Sequence, residues 1–216
     1  MMEIKYLTIE GRPSYDIKIR NDHATIQNLL DHLNQFIEEG LIQRLWSPGR
    51  SNCYGCDLCC HEWVPLTSID VKQLMDIKGI GLIEAYKYLW VEAQEQVLDI
   101  TLRRKGDGSC IFLQSNGTCA IYNKRPFVCQ TYICCPTTAR AEELRSQVVN
   151  KGMDDLIRIS LKAFASRGQN LPINRRRSVR IRPEDWGKNG FSGKEDYSQV
   201  MMKKVLSSDL FKQMVL

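Results

Sequence analysis

Ser51-Asn52-Cys53-Tyr54-Gly55-Cys56-Asp57-Leu58-Cys59-Cys60-His61 sets four cysteines within eight positions. Cys53, Cys56 and Cys59 form a CxxCxxC run, and Cys60 follows directly. Two-residue spacers let a loop curl back and turn several sulfurs toward one centre, the arrangement of thiolate metal sites. The rest of the chain reads as the scaffold that holds this loop.

The bulk composition fits a soluble globular protein. The chain has 216 residues, 43% hydrophobic and 25% charged, enough for one domain with appendages. No apolar run approaches a membrane span, and the Met1-Met2-Glu3-Ile4 start lacks a secretory pattern, so a cytoplasmic location is expected. Nine cysteines in a reducing compartment point to metal, and the odd count weighs against a disulfide scaffold. The net charge of +5 is unevenly placed: from Arg167 onward there are 11 Lys/Arg and 5 Asp/Glu, a balance of +6, which leaves −1 on residues 1–166. The cysteine-bearing body is therefore close to neutral, and charge does not argue for nucleic-acid binding there.

Upstream of the loop, residues 2–9 and 14–20 flank Glu10-Gly11-Arg12-Pro13 and read as a β-hairpin. Ile26, Leu29, Leu30, Leu33, Phe36 and Ile37 recur at helical spacing, with Gly40 as the stop. His23 and His32 have no ligand partner nearby in sequence and read as surface or packing residues. Downstream, Glu62–Leu66 reads as a short extended piece. Thr67 caps a helix to about Lys78, with Asp70 completing a capping box and Leu66 and Val71 spaced as a hydrophobic staple. Gly79-Ile80-Gly81 follows a helix and lacks a third glycine, so it is a helix break rather than a phosphate loop. A helix over Leu82–Ala93 and a strand over Val97–Leu102 follow.

The remaining cysteines come singly and then as a pair. Cys110 and Cys119 flank an Asn116-Gly117 turn; in an ideal two-residue hairpin Gln114 faces Cys119. The two thiols then share a face but lie about 13 Å apart at strand rise. Either the hairpin is irregular or these thiols do not share one ion. Cys129 follows Arg125-Pro126, and Cys134-Cys135-Pro136 closes the series. Thr137 or Thr138 starts a long helix through Phe164, with a break at Gly152. Residues 174–182 are basic without interleaved aromatics and read as a solvated strand or tail; Trp186–Gly193 reads as a linker, and an amphipathic helix begins at Tyr197.

The CxxCxxCC run, then Cys110-Ile-Phe-Leu113, then Gly117-Thr-Cys-Ala-Ile-Tyr-Asn-Lys-Arg-Pro126 and Cys129 in that order, resembles the CxxCxxCC cysteine-cluster family. This is the YkgJ-type zinc- or iron-chelating domain, described as Fe–S oxidoreductase-like, and the flagellin lysine methylase looks like a larger relative. The resemblance covers Cys53 to Cys135. It implies a bound metal centre and carries over to Cys53, Cys56, Cys59, Cys60, Cys110, Cys119, Cys129 and the Arg125-Pro126 pair. Cys134 and Cys135 stand where members often have one cysteine, which leaves open which of them matters.

CxxCxxC spacing with a remote fourth thiolate favours an iron–sulfur cluster of [4Fe–4S] type, with zinc as the alternative. Structural zinc more often uses two separated knuckles, and the spacing of the later cysteines supplies no second one. His61, directly after Cys60, would have to fold sharply back to serve as a ligand. The radical-SAM spacing CxxxCxxC is absent, as are a nucleotide loop and a Ser/His/Asp set. Arg125 reads either as a donor to a negatively charged cluster or anionic substrate, or as an arginine at a helix start.

The expected architecture is α+β and mostly helical, a single domain around a cysteine-ligated centre. Residues 1–46 form the hairpin and helix, 47–168 the cysteine-cluster metal-binding domain, and 169–216 a basic C-terminal extension with a terminal helix. Two classes of function follow. One is an Fe–S oxidoreductase or group-transfer enzyme, with protein-lysine methyl transfer implied by the methylase resemblance. The other is a zinc-stabilised non-catalytic binding module or a metal carrier. The expected partner is a protein or small-molecule substrate, not nucleic acid or a membrane.

Overall fold

Two antiparallel strands open the chain, β1 (Met2–Ile9) and β2 (Arg12–Ile19), paired from Met2 opposite Ile19 to Ile9 opposite Arg12. Glu10 and Gly11 turn the hairpin at φ 50° and 74°, the twist that a two-residue connection requires. This computed structural model describes residues 2–38, 54–177 and 181–215. The expected stop at Gly40, the segment Leu41–Trp46, and Cys53 lie outside these residues.

Helix α1 (Ile26–Glu38) follows the hairpin. Its start is held reciprocally: Asn28 N–H donates to Thr25 Oγ1 at 3.3 Å, and Thr25 N–H donates to Asn28 Oδ1 at 3.0 Å. All six residues expected on its apolar stripe are buried, each worth about 1.5–3 kcal/mol of transfer free energy if an aliphatic side chain. His23 is exposed, and His32 Nδ1 sits 2.7 Å from the Asn28 carbonyl.

After the cysteine loop, Val64 and Leu66 hydrogen-bond along the outer edge of a later strand. Helix α2 (Ser68–Lys78) starts with the expected Thr67–Asp70 capping box and ends at Gly79, at φ 62°. The staple residues Leu66 and Val71 are both buried. The next segment differs from its expected helix: α3 covers only Leu82–Ala85, a 3-10 turn spans Tyr86–Tyr88, and Leu89–Gln94 is strand β3. Leu89, Val91 and Ala93 alternate into the core, and pairing with β4 (Val97–Leu102) from Leu89 opposite Leu102 to Gln94 opposite Val97 overrides the weak helical periodicity. A short strand, β5 (Arg175–Arg177), adds in parallel on the other side of β3, giving the order β4-β3-β5. The start of the basic run is thus a strand, with Arg175 and Arg177 exposed.

Helix α4 (Phe127–Thr131) is short, and α5 (Ala139–Ala165) is the long helix, capped by Thr138. It runs unbroken through Gly152, contrary to the expected break. The glycine is there for space: a Cβ on Gly152 would stand 2.4 Å from Thr67 Cγ2, 2.5 Å from Thr67 Cβ and 3.2 Å from Phe191 Cε1. The expected linker is anchored, since Phe191 is fully buried. The expected terminal helix is divided into a 3-10 turn at Tyr197–Gln199, α6 (Met202–Val205) and α7 (Ser208–Met214).

The architecture is α+β and mostly helical. Two apolar clusters share α5: one joins the hairpin, α1, Phe127 and the C-terminal helices; the other joins α2, α3 and the β3–β4 sheet. Gly152→Ala gains helix propensity of about 1 kcal/mol but forces Thr67 off α5. We expect a net loss of about 2 kcal/mol or more, read as a lowered urea midpoint with an unchanged slope.

Candidate metal centre

Four separate pieces of backbone bring cysteines to one place. Cys56 enters in the loop; Cys59 and Cys60 sit on a 3-10 turn (Leu58–His61), where Cys60 N–H donates to the Asp57 carbonyl at 2.8 Å. Cys110 is tied to that turn directly, its N–H donating to the Cys60 carbonyl at 2.7 Å. Cys119 pairs opposite Leu113, and Cys129 lies on α4.

The Cys110–Cys119 ribbon is irregular. Leu113, not Gln114, faces Cys119, and Gln114 N–H reaches the Thr118 carbonyl at 2.8 Å around a wider turn with Gly117 at φ 79°. Leu113 N–H also donates to the Cys110 carbonyl at 3.0 Å, folding Cys110 back. Both thiols can therefore face one centre, which an ideal ribbon would have prevented.

Cys56, Cys59, Cys60, Cys110, Cys119 and Cys129 line a single cavity of about 40 Å³. Val64, Leu102, Phe112, Ile121 and Pro126 give it apolar walls, and Tyr122 and Arg125 complete the rim. Cys134 and Cys135 do not line it; Cys135 packs on the hairpin–α1 core. His61 is exposed and outside the cavity, with its carbonyl accepting from Arg104. Among the described residues, no group of three or more Cys, His, Asp or Glu side chains is drawn up as a closed ligand set. Cys53, the first residue of the CxxCxxC run, is outside those residues.

Four of the thiols, those of Cys60, Cys110, Cys119 and Cys129, are set against ionisation. A hydrogen bond with the Cys59 side chain, then burial, push the Cys60 thiol up. Burial raises Cys110 and Cys119, the latter partly offset by backbone hydrogen bonding and the Arg125 charge. Burial followed by the neighbouring Cys59 and Cys110 raises Cys129 well above the ordinary thiol range. Several thiolates crowded out of water repel one another, and a cation among them removes that penalty.

Arg125 brings both of its expected readings together. It precedes the Pro126 start of α4, and it lines the thiol cavity. Its guanidinium lies 4.1 Å over the Tyr122 ring, and Nη2 donates to Asn34 Oδ1 at 3.4 Å, yet its Nε is buried without a partner. Tyr122 in turn meets Tyr54 edge-on at 5.2 Å.

Position depends on a residue that local motif reading assigned only to a helix cap. Asp70 Oδ2 accepts from Thr67 N–H at 2.8 Å, as a capping box requires, whereas Oδ1 accepts from the Phe127 N–H at 2.8 Å and from the Tyr197 hydroxyl at 2.6 Å. That bond fixes the first turn of α4, and so Cys129, against α2. A second cleft of about 470 Å³ shares Cys59, Val64 and Cys129 with the thiol cavity and opens between Trp63, Tyr132 and Arg145. Trp63 and Tyr132, which flank the cysteines in sequence and read as packing residues or a shield for the centre, are nearly half exposed.

Residues 52–145 match a family model, CxxCxxCC, described as "Putative zinc- or iron-chelating domain". The resemblance read from the cysteine spacing holds over that stretch. Neither a curated protein nor a solved structure matches the chain significantly. The donor set fits such a group: six of the lining residues are cysteines, none is a carboxylate or an imidazole, and the orphaned Arg125 Nε suits an anionic, sulfur-rich occupant.

The sign of the pH dependence follows from the raised thiols. Folded thiols hold protons more tightly than unfolded ones, so losing those protons favours unfolding. Metal-free chain should be fully stable below the ordinary thiol value of 9.0 and lose stability as pH rises through and above it. Loaded chain should change little over that range and instead release metal as pH falls. Urea midpoints of chelated and loaded protein at neutral and alkaline pH check both expectations.

Proposed function

We propose that this chain, whose residues 52–145 carry the CxxCxxCC zinc- or iron-chelating domain, holds an iron–sulfur cluster used in redox or group-transfer chemistry. The observation that carries the reading is the convergence of six cysteines on one apolar-walled cavity beside the unpartnered Arg125 Nε. Six thiols exceed the four donors of a closed zinc site, and the CxxCxxC run with remote partners is the spacing of cluster ligands.

The candidate ligands are Cys56, Cys59, Cys60, Cys110, Cys119 and Cys129, with Cys53 as the first position of the run; Cys134 and Cys135 lie away from the cavity. A cluster there would supply one-electron exchange or an open iron site for group transfer. The chain's residues do the rest. Val64, Leu102, Phe112 and Ile121 keep water from the sulfurs, and Arg125, whose charge acts on the Cys119 thiol, favours the more negative state. The adjoining cleft leads from solvent, past Trp63 and Tyr132, to the thiols of Cys59 and Cys129. That opening suits a protein or small-molecule partner; protein-lysine methyl transfer is the concrete form implied by the likeness to flagellin lysine methylase.

A zinc-stabilised binding module or metal carrier is the second reading, and the observation favouring it is the cavity's size. At about 40 Å³ the cavity is nearer the size of a single ion than of a cluster.

Anaerobic purification with metal and sulfide analysis and a visible spectrum separates the two. Iron with acid-labile sulfide and a broad thiolate-to-iron absorption is the expected result; stoichiometric zinc in a colourless protein would falsify the cluster. Cys56→Ser should lose most of the bound metal, and full retention would exclude this loop as the primary site.

A further inference from the structure

Outside the thiol cavity, the outer face of the β3–β4 hairpin carries another cleft, of about 300 Å³, lined by Trp63, Pro65, Trp90, Glu92, Asp99 and Thr101. The register explains its composition. Trp90 stands opposite Thr101, and Glu92 opposite Asp99. Strand alternation sends Leu89, Val91, Leu98 and Ile100 into the core and leaves these four on the other face. Val64–Leu66 runs along the free edge of β4: Leu66 N–H donates to the Ile100 carbonyl at 3.0 Å, and Leu102 N–H to the Val64 carbonyl at 2.9 Å. Pro65 thereby lies opposite Thr101, and Trp63 meets Trp90 at 6.0 Å, inclined by 39°.

Three features of this face call for a cation. Two like charges stand directly across a strand pair, which is destabilising unless something positive lies between them. Two of the chain's own cations adjoin the cleft, Arg175 at 3.4 Å from Glu92 and Arg104 over the Trp63 ring at 5.0 Å; neither pairs with Asp99, which has no ion-pair partner among the described residues. Partial desolvation at this exposed position, then the facing Glu92, raises the Asp99 carboxyl, as expected of an acid without a counter-ion. Independently, Thr101 is only 9% exposed and its Oγ1 is buried with no hydrogen-bond partner; Trp90 Nε1 is likewise unpartnered. A built wall that leaves a buried hydroxyl unsatisfied is a wall shaped for something that hydrogen-bonds to it.

We propose that this cleft binds an alkylammonium cation, with its head between Asp99, Glu92 and Thr101 Oγ1 and its alkyl stem on Trp63, Trp90 and Pro65. The ammonium is the group that donates to both carboxylates and to the hydroxyl at once, and its positive charge is attracted to indole faces. A neutral alcohol of the same shape gains the apolar contact but cannot relieve the carboxylates, and an anion is repelled. The site stands whether or not the thiol cavity is loaded, although Trp63 and Pro65 also line the cleft beside Cys59.

The test is calorimetric titration of the full-length, metal-loaded chain with n-butylammonium chloride and, separately, with 1-butanol at matched ionic strength. The expected result is saturable amine binding about ten-fold or more tighter than the alcohol. Asp99→Asn, an exposed and nearly isosteric change, should weaken the amine about ten-fold. Thr101→Val should weaken it severalfold, with metal content unaltered in both variants. Equal affinity for amine and alcohol, no saturation by the amine, or Asp99→Asn binding like the unaltered chain would each overturn the proposal. A lysine-containing peptide titrated alongside distinguishes the source of the cation: tighter binding than butylammonium assigns it to a protein side chain, and weaker binding to a free amine.

Discussion

One buried carboxylate joins the parts of this fold that would otherwise be independent. Asp70 begins α2, receives the first backbone N–H of α4 and accepts from Tyr197, a fully buried residue more than a hundred positions later. Thr67 closes the group, its hydroxyl lying 2.6 Å from the Tyr197 oxygen. Burial raises the Asp70 carboxyl, and hydrogen bonds from Tyr197, Thr67 and Phe127 act against that shift. Such a group is costly to leave half-satisfied, so its partners are held in place together. Cys129 comes two residues after Phe127, and its position among the thiols follows from this arrangement.

The same corner explains why α5 has a glycine in its middle. Thr67 and Phe191 press against Gly152, so the cap of α2 and the C-terminal segment meet on one turn of the long helix. Asp155, a turn further on, receives Arg158 and the Ser192 hydroxyl at 2.7 Å, tying the same C-terminal segment a second time. The residues after Arg167 that carry the positive charge therefore include a structural clamp, with Phe191 and Tyr197 meeting edge-on at 6.5 Å beneath it. Helix and hairpin at one end and sheet at the other are two cores held by one rod.

Features with strong local signals were legible in the chain itself. The α1 stripe, the Thr67–Asp70 box, the β1–β2 hairpin and the convergence of Cys56, Cys59 and Cys60 with later cysteines each rest on neighbours close in sequence or on a distinctive spacing. What escaped depends on distant partners. Leu89–Gln94 has apolar residues that fit a helix or a strand, and only pairing with β4 decides between them. Gly152 reads as a helix breaker until Thr67 is seen against it. The Asp70–Phe127 bond and the two clefts beside Trp63 arise from tertiary juxtaposition that no window of sequence contains. At Asn116-Gly117 the spacing left an irregular hairpin and separate thiols as alternatives, and the wider turn, which lets Cys110 and Cys119 approach one centre, is the irregular one.

The extent of those cores bears on why the thiols gather at all. Domains that need metal to fold are small ones whose apolar interior is too meagre to offset chain entropy. Here buried leucines, isoleucines and aromatics fill two clusters along α5, and none of the residues lining the thiol cavity belongs to the hairpin, α1 or the C-terminal helices. A metal at the cavity would stitch the loop, the Cys110–Cys119 ribbon and α4 locally, without substituting for a missing core. Meanwhile the chain accepts crowded thiols held against ionisation, an arginine nitrogen without a partner, and half-exposed Trp63 and Tyr132 around an open cleft at the same corner. Those local costs fall together at the one corner where six cysteines meet, and the two cores elsewhere bear none of them.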